Sequence, residues 1–227
     1  MKKIVVLTGA GMSAESGLKT FRDSDGLWEN HNVYDVATPE AWERDPEMVL
    51  KFYNERRKQV RDAKPNKAHV ALGKLEEKYD VHIITQNIDN LHERAGSTQV
   101  IHLHGEVNKA RSSIDSGLVY ELDHWEMKLG DLCEKGSQLR PHIVWFGESV
   151  PMIEKAIPIV EMADRVIVIG TSLAVYPAAG LLNYATSFSQ KYYIDPKGFE
   201  GDNHYPFVII KETAGVGVPR LVDQLLQ

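Results

Sequence analysis

Cysteine is nearly absent from this chain of 227 residues: Cys133 is the only one, so an internal disulfide is excluded. Disulfides mark oxidising compartments, and a chain without them fits the reducing environment of the cytoplasm. We therefore expect a cytoplasmic protein whose fold is held by packing.

Long apolar runs and an excess of positive charge are also missing. No apolar stretch approaches the roughly 18 residues of a membrane span, and no secretory leader is recognisable before the first apolar run. The net charge of -6 argues against a general binder of nucleic acid or of anionic membranes. Glu55 and Asp62 interrupt the basic stretch from Lys51 to Lys67, which is typical of a solvated helix face. We expect neither nucleic acid nor a membrane among the partners.

What the sequence does contain is the alternation of an α/β protein. Short apolar runs alternate with segments of helical periodicity, which predicts a Rossmann-like, mostly parallel sheet with helices on both faces. Strands are expected at residues 4–7, 81–84, 100–103, 143–146, 165–169, 192–194 and 207–210. Helices are expected at residues 46–61, 67–78, 151–163, 177–186 and 218–226. The predicted parts are a Rossmann-like domain (1–30, 66–104 and 140–227), a helical module (31–65) and a small insertion (105–139).

A glycine loop follows the first strand. Gly9, Gly11 and Ala14 satisfy the pattern G-x-G-x-x-G/A, with Ala10 between the two glycines. In dinucleotide-binding folds the first glycine permits a tight turn, the second lets the backbone approach a pyrophosphate, and the third small residue allows close helix packing. We expect a helix to begin near Ser13 and to present its N–H groups to the phosphates.

The next loop departs from ordinary dehydrogenases. Those enzymes carry an acidic residue at the end of the second strand, whereas residues 19–28 show no strand pattern. We interpret the loop as a lid over the nicotinamide end of a dinucleotide, in which Phe21 and Trp28 exclude water and Arg22 pairs with phosphate. A surface loop with two core-facing aromatic residues is the alternative.

Polar side chains cluster after the strand at residues 81–84. Gln86, Asn87 and Asp89, with Ile88 among them, follow that strand directly. Ligands of open α/β sheets bind outside the carboxyl ends of the strands, so these groups are candidates for handling a substrate. An Asx-rich turn that caps the next helix is the alternative.

A histidine stands at the end of the following strand. His104 can act as a general base, because an imidazole titrates near neutral pH. His102 and His92 are competing candidates. We prefer His104 because Gly105 behind it leaves room for a substrate.

Together these motifs resemble those of the sirtuin family, the NAD-dependent protein-lysine deacylases. The resemblance rests on the glycine loop ending in Thr20-Phe21-Arg22, then on Thr85-Gln86-Asn87-Ile88-Asp89, His104-Gly105, Phe146-Gly147-Glu148 and Gly170-Thr171-Ser172-Leu173. The motifs occur in the family's order between residue 4 and about residue 219, nearly the whole chain. Their combination is specific, although each piece alone is not.

The resemblance implies NAD as the cofactor and acyl-lysine proteins or peptides as substrates. Asn87 and Asp89 are expected to bind the nicotinamide carboxamide, and Gln86 the nicotinamide ribose. His104 is expected to take a proton from the ribose hydroxyls, so that His104 and Asn87 are the implied catalytic residues. The implied products are nicotinamide, free lysine and O-acyl-ADP-ribose.

The resemblance also assigns the two flanks of the site. The adenosine side is expected to be bound by Gly170, Thr171, Ser172, Asp195 and Ala214, and Asp195 stands where the family usually has asparagine. The peptide is expected to lie clamped between two exposed edges. One edge contains Val144, Phe146, Gly147 and Glu148, and the other contains Leu173, Ala174 and Val175.

One pair bears on which acyl group is removed. Tyr53 and Arg56 are three residues apart and so share one face of a predicted helix. They match the Tyr-x-x-Arg pair of the sirtuin subclass that removes succinyl and malonyl groups, whose terminal carboxylate a hydroxyl and a guanidinium can bind. Ser24, small and polar, stands where a bulkier residue would narrow the acyl channel. Acetyl groups are expected to fit as well, and a surface Tyr–Arg pair on a basic helix is the alternative.

The clearest departure from the family concerns metal. Most sirtuins carry a four-cysteine zinc ribbon, whereas residues 105–139 hold only Cys133. His124, Asp131 and Glu134 are nearby, but their spacing matches no structural zinc pattern. We predict no metal. The apolar residues of the segment are instead expected to pack against the main domain, namely Leu118, Leu122, Trp125, Met127 and Leu132.

Three other functions compete with deacylation. A protein ADP-ribosyltransferase would use similar chemistry, but a retained His104 favours the deacylase. A non-catalytic NAD-binding module has no need of such a base. A plain dehydrogenase is disfavoured because the acidic residue of the second strand is missing.

Overall fold

The computed structural model describes residues 1–19, 27–28, 31–199 and 205–227. The strands are β1 (Lys3–Thr8), β2 (Leu27–Trp28), β3 (His31–Asn32), β4 (Asp80–Thr85), β5 (Val100–His102), β6 (Gly105–Ser112), β7 (Val119–Glu121), β8 (Leu139–Ile143), β9 (Arg165–Ile169), β10 (Gln190–Ile194) and β11 (Phe207–Ile210). The α-helices are α1 (Val33–Val36), α2 (Pro39–Arg44), α3 (Pro46–Asp62), α4 (Lys67–Leu75), α5 (Leu91–Arg94), α6 (Met152–Glu161) and α7 (Ala214–Leu226). Short 3-10 helices cover Ala10–Met12, Ala14–Ser16 and Ala178–Tyr184.

Six parallel strands form the central sheet in the order β5–β4–β1–β9–β10–β11. The chain runs outward from β1 in one direction and then outward from β9 in the other. Such a reversal leaves a crevice at the carboxyl ends of the two central strands, where ligands of this class bind. The predicted Rossmann-like fold class is confirmed.

Two cores cover the faces of the sheet. Along β1, alternate side chains point to opposite faces, so Val6 joins the core under α4 and α7, while Leu7 joins the core under α6. Both faces are therefore apolar, which explains why β1 and β9 read as continuous apolar runs.

Beside the sheet, α3 packs against a three-stranded antiparallel sheet of order β7–β6–β8. The helix begins after Asp45, whose side chain accepts a hydrogen bond from the Met48 N–H, and Pro46 occupies its first turn. Phe52, Val107 and Trp145 share the core between the two parts. Within the described ranges, no helix has the length and apolar character that crossing a membrane requires.

Three of the expected elements differ from the structure. The strand predicted at residues 143–146 is wrong, because β8 ends at Ile143 and pairs antiparallel with β6 in the small sheet. The helix expected near Ser13 is replaced by two 3-10 turns, and Gly17, with a φ of 87°, ends the second. The segment at residues 177–186 likewise forms a 3-10 helix.

The expected packing of the small segment is only partly right. Met127 is buried and Leu122 partly buried in a cluster with Leu50 and Ala110 of neighbouring elements. Trp125 and Leu132 remain 40% and 56% exposed, so the prediction is wrong for these two. Leu118 is half-buried and lies outside that cluster.

Polar contacts from α3 anchor the same segment. The fully buried Arg57 donates from Nε to the Val107 carbonyl at 2.6 Å and from Nη1 to the Trp125 carbonyl at 2.6 Å. Asn54 donates to the Met127 carbonyl and accepts from the Met127 N–H. Burial, with a contribution from Arg61, lowers the pKa of Arg57 to about 10, so the guanidinium stays charged at neutral pH.

Candidate active site

A cavity of about 520 Å³ opens at the carboxyl ends of the central strands. Its floor is the contact between two glycine turns. The Gly11 N–H donates to the Gly170 carbonyl at 2.9 Å, and a Cβ on Gly11 would lie 2.7 Å from the Gly170 Cα. Gly170 has a φ of 59°, which favours glycine.

This contact corrects the expected role of the glycine loop. The space that a Gly11 side chain would fill is taken by backbone of the same chain, so glycine is needed there for packing between the turns. The expected helix N-terminus is absent too, because each 3-10 turn in residues 10–16 has only three residues. Anion binding by a helix dipole at this loop is therefore not supported by the fold.

Of the predicted site residues whose side chains the structure describes, all except Leu173 and Ala174 of the predicted peptide edge line this cavity. From the cofactor and catalytic predictions these are Gly9, Ala10, Gly11, Gln86, Asn87, Ile88, Asp89, His104, Gly170, Thr171, Ser172, Asp195 and Ala214. From the substrate predictions these are Tyr53, Arg56, Val144, Phe146, Gly147, Glu148 and Val175. Phe21, Arg22, Ser24 and the side chain of Trp28 lie outside the described residues, so the predicted lid and this part of the acyl channel stay predictions.

Asn87 and Asp89 are nearly buried and are fixed by the glycine loop. Asn87 Nδ2 donates to the Gly9 carbonyl at 3.1 Å and to Ser13 Oγ at 3.3 Å. Ser13 Oγ donates to Asp89 Oδ2 at 2.9 Å, and the Leu91 N–H donates to Asp89 Oδ1 at 3.1 Å. Burial raises the pKa of Asp89, while these two hydrogen bonds oppose the rise. This end of the cavity thus presents oriented amide and carboxyl groups to a polar ligand.

Gln86 connects the ends of β4 and β9, the two strands that flank β1 in the sheet. Its Nε2 donates to Thr171 Oγ1 at 3.1 Å, and that hydroxyl also accepts from the Leu173 N–H at 3.2 Å. Further along the cavity, Asp195 accepts from the Lys197 N–H at 3.0 Å through Oδ1. Hydroxyl, amide and carboxylate groups therefore line the cavity beyond the glycine floor.

His104 is half-buried and faces the cavity with one nitrogen committed. Nδ1 lies 3.0 Å from the Gln86 carbonyl oxygen, which can only accept, so Nδ1 carries the proton. Burial lowers the pKa of His104, although the Gln86 carbonyl opposes this. The ring is consequently neutral at neutral pH, and Nε2 is the nitrogen that can take up a proton.

The two competing histidines do not line the cavity. His92 is fully buried, with Nε2 3.1 Å from Thr8 Oγ1, and burial holds its pKa well below the ordinary value. His102 lies under the loop at residues 86–89, with both ring nitrogens in contact with acceptors. Of the three, His104 alone is placed to meet a ligand in this cavity.

Tyr53 and Arg56 of α3 also line the cavity. Tyr53 is fully buried, its oxygen accepts a hydrogen bond from Trp145 Nε1, and burial raises its pKa. Arg56 donates to Gln59 Oε1 at 3.2 Å and to the Lys19 carbonyl at 3.4 Å. The alternative of an exposed surface pair is excluded, because Arg56 is only 8% exposed.

Phe146 and Gly147 are exposed at one rim of the cavity, and Val175 is exposed at the other. Glu148 behaves differently from its neighbours. Its carboxylate binds Arg111 at 3.0 Å and Arg140 at 2.8 Å and accepts the Trp145 N–H. Glu148 thus braces the rim against the small sheet.

Other lining residues escaped the sequence analysis, among them Val60 and Trp145. Val60 follows Tyr53 by seven positions, and this helical spacing could have placed it on the same face. Trp145 stands between two predicted residues in a supposed strand, where alternation pointed it away from the site. Glu15 also lines the cavity and accepts from the Gly215 N–H at 2.6 Å. No sequence signal predicts that long-range contact.

Comparison with known proteins agrees with the fold and with the cavity. The model of the Sir2 family matches residues 9–177. A protein of Helicobacter pylori strain 26695 and one of Bacteroides thetaiotaomicron are each 52% identical to this chain. Each alignment covers 100% of this chain and 99% of the relative, and both relatives are named NAD-dependent protein deacylase.

Solved structures give the same result. A Sir2 homologue in complex with NAD superposes with a TM-score of 0.89 at 40% identity, over 99% of this chain and 90% of that one. A mutant Sir2 homologue in complex with ADP-ribose has a TM-score of 0.90 at 40% identity, covering 99% and 92% of the two chains. The chain belongs to the Sir2 family, and the predicted resemblance is confirmed.

Proposed function

We propose that the protein is an NAD-dependent protein-lysine deacylase that releases nicotinamide, free lysine and O-acyl-ADP-ribose. The observation that carries this proposal is the meeting of His104, Asn87 and Asp89 with the glycine floor in one cavity. Relatives of the same length and 52% identity are named for this activity. NAD supplies the ADP-ribosyl group to which the acyl group is transferred.

The residues present fit NAD. Gly9, Gly11 and Gly170 line the floor of the cavity, where a dinucleotide would meet backbone groups of the two packed turns. A carboxamide both donates and accepts, and Asn87 and Asp89 offer complementary groups held in fixed positions. Beyond the floor, the groups of Thr171 and Asp195 suit ribose hydroxyls.

His104 is the proposed general base. Its Nδ1 proton is held by the Gln86 carbonyl, which leaves Nε2 to accept a proton from a ribose hydroxyl. Because burial lowers its pKa, the base is unprotonated over most of the physiological pH range. The half-buried position limits water around the reacting groups.

The substrate peptide is proposed to lie between the rim at Phe146-Gly147 and the edge formed by Leu173, Ala174 and Val175, of which Ala174 and Val175 are exposed. Pairing with exposed backbone reads few side chains and therefore tolerates many flanking sequences. Glu148 supports this arrangement indirectly, because its pairing with Arg111 and Arg140 holds the first rim in place.

The acyl groups proposed are succinyl and malonyl as well as acetyl. The support is the burial of Tyr53 and Arg56 in the wall of the cavity, where Tyr53 belongs to an apolar cluster and both side chains line the space. A terminal carboxylate there meets a positive charge in a site of low polarity, which strengthens the attraction. An acetyl group does not reach the pair and does not clash with it.

We also infer that the activity is independent of zinc. Among the described residues, no group of His, Cys, Asp and Glu converges as metal ligands do. Cys133 lies 3.2 Å from Ser137 Oγ and 3.4 Å from Ser112 Oγ, and the two serine oxygens are 2.8 Å apart. These short polar contacts, together with Arg57, support an account of the small segment that needs no metal.

Mass spectrometry tests the proposal directly. Acetyl-lysine and succinyl-lysine versions of one peptide are incubated with the protein, with and without NAD. Loss of the acyl group only with NAD, with nicotinamide and O-acyl-ADP-ribose appearing, is the expected result. Release of nicotinamide together with ADP-ribose attached to a protein side chain would show ADP-ribosyl transfer instead. An unchanged acyl group on every peptide tested would refute the deacylase.

A further inference from the structure

His102 and Glu93 form a contact that the proposed reaction does not use. His102 Nε2 lies 2.7 Å from Glu93 Oε1, and His102 Nδ1 lies 3.0 Å from the Asn87 carbonyl oxygen. His102 is 8% exposed, whereas the Glu93 side chain is 38% exposed. The pair therefore links a buried loop of the site to solvent.

The loop that carries Asn87 is held by its carbonyl groups. Four consecutive carbonyls, those of residues 85–88, accept hydrogen bonds from residues 102–107. Backbone N–H groups of Leu103 and Val107 hold the first and last. The two carbonyls between them are bound by imidazoles: His104 binds the Gln86 carbonyl, and His102 binds the Asn87 carbonyl. The position of Asn87 thus depends on a titratable group.

The two contacts of His102 fix how many protons the pair must hold. A carbonyl oxygen only accepts, so Nδ1 must carry a proton to bind Asn87. A second proton must lie between Nε2 and the Glu93 carboxylate, on either atom, because two lone pairs would repel at 2.7 Å. If one proton is lost, one of the two contacts becomes repulsive.

We propose that His102 and Glu93 are a positioning pair that holds Asn87 in the NAD pocket only while the two side chains together carry two protons. The inference rests on the proposed function, because it concerns the loop that is expected to bind the nicotinamide end of NAD. Asn87 is otherwise held by Thr85 at its N–H and by Gly9 and Ser13 at its amide nitrogen. The contact with His102 fixes the remaining backbone group.

The charges around His102 favour the doubly protonated pair. Burial lowers the pKa of His102, but the hydrogen bond and charge of Glu93, the charge of Glu106 and the Asn87 carbonyl outweigh it, so the pKa is raised. Of the other groups that face the pair, Asp89 carries a raised pKa, His92 is neutral and Lys109 is engaged by Glu106. Since the folded pKa is raised, the pair keeps both protons to a higher pH than an ordinary histidine would, and it loses one as the pH rises through the folded pKa.

Three variants separate positioning from mere packing. Glu93→Gln removes the charge that holds the second proton. His102→Asn places an amide nitrogen near the position of Nδ1 and cannot titrate. His102→Leu removes the donor altogether. Glu106→Gln is the matched control, because Glu106 is close to His102 but binds Lys109.

The readouts are nicotinamide release from NAD with an acetyl-lysine peptide between pH 6 and 10, and nitrogen NMR of labelled histidines. Wild type should lose kcat/KM for NAD at alkaline pH, whereas Glu93→Gln should lack this loss, because the glutamine amide can donate to Nε2 of a neutral imidazole, and the NMR pKa of His102 should fall by about one unit. Glu106→Gln should keep the alkaline loss. His102→Asn should keep kcat within about threefold and lack the limb, whereas His102→Leu should lose about tenfold or more.

An unchanged pH profile and an unchanged NMR titration in Glu93→Gln would overturn the inference, as would a His102→Asn variant as impaired as His102→Leu. If His102→Leu does not fold, the other two variants still decide. A wild type that releases no nicotinamide at any pH would refute the proposed function. The NMR titration of His102 would still test the pair in that case.

Discussion

Trp145 donates a hydrogen bond from its indole Nε1 to the hydroxyl oxygen of Tyr53, 3.1 Å away, in the buried wall of the cavity. Because the oxygen accepts this bond, the hydroxyl hydrogen of Tyr53 points in another direction. The Arg140 guanidinium lies 3.3 Å from the centre of the Trp145 ring and binds Glu148. Trp145 and Arg140 thus connect Glu148 at the rim to Tyr53 in the cavity wall through direct side-chain contacts.

The first prediction concerns acyl preference. Tyr53→Phe combined with Arg56→Met should lower kcat/KM for a succinyl-lysine peptide about 100-fold and that for an acetyl-lysine peptide by less than about fivefold, because only the former offers a carboxylate to the pair. Steady-state kinetics on the two peptides measure the ratio. Tyr184→Phe with Arg44→Met, a change of the same types at exposed positions, is the control. Equal losses on both peptides would show that the pair supports the fold.

The second prediction concerns the base. His104→Ala should reduce deacylation by about 1,000-fold while changing the Kd for NAD little, because a base acts on the reaction and contributes little to binding. Isothermal titration and product analysis measure the two quantities. In wild type, the acid limb of kcat should lie below the ordinary histidine value of 6.5, since burial lowers the pKa of His104. Full activity in His104→Ala would show that another group is the base.

The third prediction concerns the glycine floor. Gly11→Ala should cost about 2 kcal/mol of folding stability and weaken NAD binding, because its Cβ would meet Gly170 backbone at 2.7 Å. Gly180→Ala is the matched control, since its Cβ would make an ordinary contact of 3.7 Å with Tyr176. Urea unfolding measures both variants. If Gly11→Ala left the free energy of unfolding unchanged, the two turns would have to separate readily.

The fourth prediction concerns the anchor of the small segment. Arg57→Met should lower the free energy of unfolding in urea by about 3 kcal/mol, because it leaves the buried Val107 carbonyl and the partly buried Trp125 carbonyl without their donor. Arg61→Met, four residues further along α3 at an exposed position, should cost far less. Comparable losses of unfolding free energy in the two variants would indicate that the contacts of Arg57 add little to stability.

The fifth prediction concerns metal. A dialysed sample should contain no stoichiometric zinc, and a chelator should change neither the Tm nor the rate of deacylation. Elemental analysis and thermal unfolding with and without chelator measure this. Zinc at one equivalent per chain, lost together with stability on chelation, would contradict the account based on Arg57 and Cys133.

The sequence predicted which residues meet at the cavity better than it predicted the local structure that brings them there. Polar residues after apolar runs could be assigned to strand ends, and parallel strands bring those ends together, so the meeting of Gln86, Asn87 and His104 at one cavity could be expected. The pattern of Gly9 and Gly11 matched a phosphate loop followed by a helix, yet short 3-10 turns follow. Local patterns carry no information on the approach of residue 170, which is what requires the second glycine.

The small segment shows the same limit. Its apolar residues suggested anchoring by Trp125 and Leu132, which are exposed, whereas a buried cation on α3 makes the main polar contacts. Arg57 stands in a basic stretch that reads as a solvated face. Nothing in the periodicity distinguishes it from its exposed neighbours, because its partners are backbone carbonyls some 50 to 68 residues away.

The two ends of the cavity come from different parts of the chain. The glycine floor is built from turns that follow strands of the sheet, whereas the proposed acyl site includes Tyr53, Arg56 and Val60 of α3. Tyr53, Arg56 and Val60 take no part in the contact of Gly11 with Gly170. In an enzyme arranged this way, acyl specificity can change separately from cofactor binding. A small library of substitutions at these three positions should yield variants that remove different lysine acyl groups while their affinity for NAD stays the same.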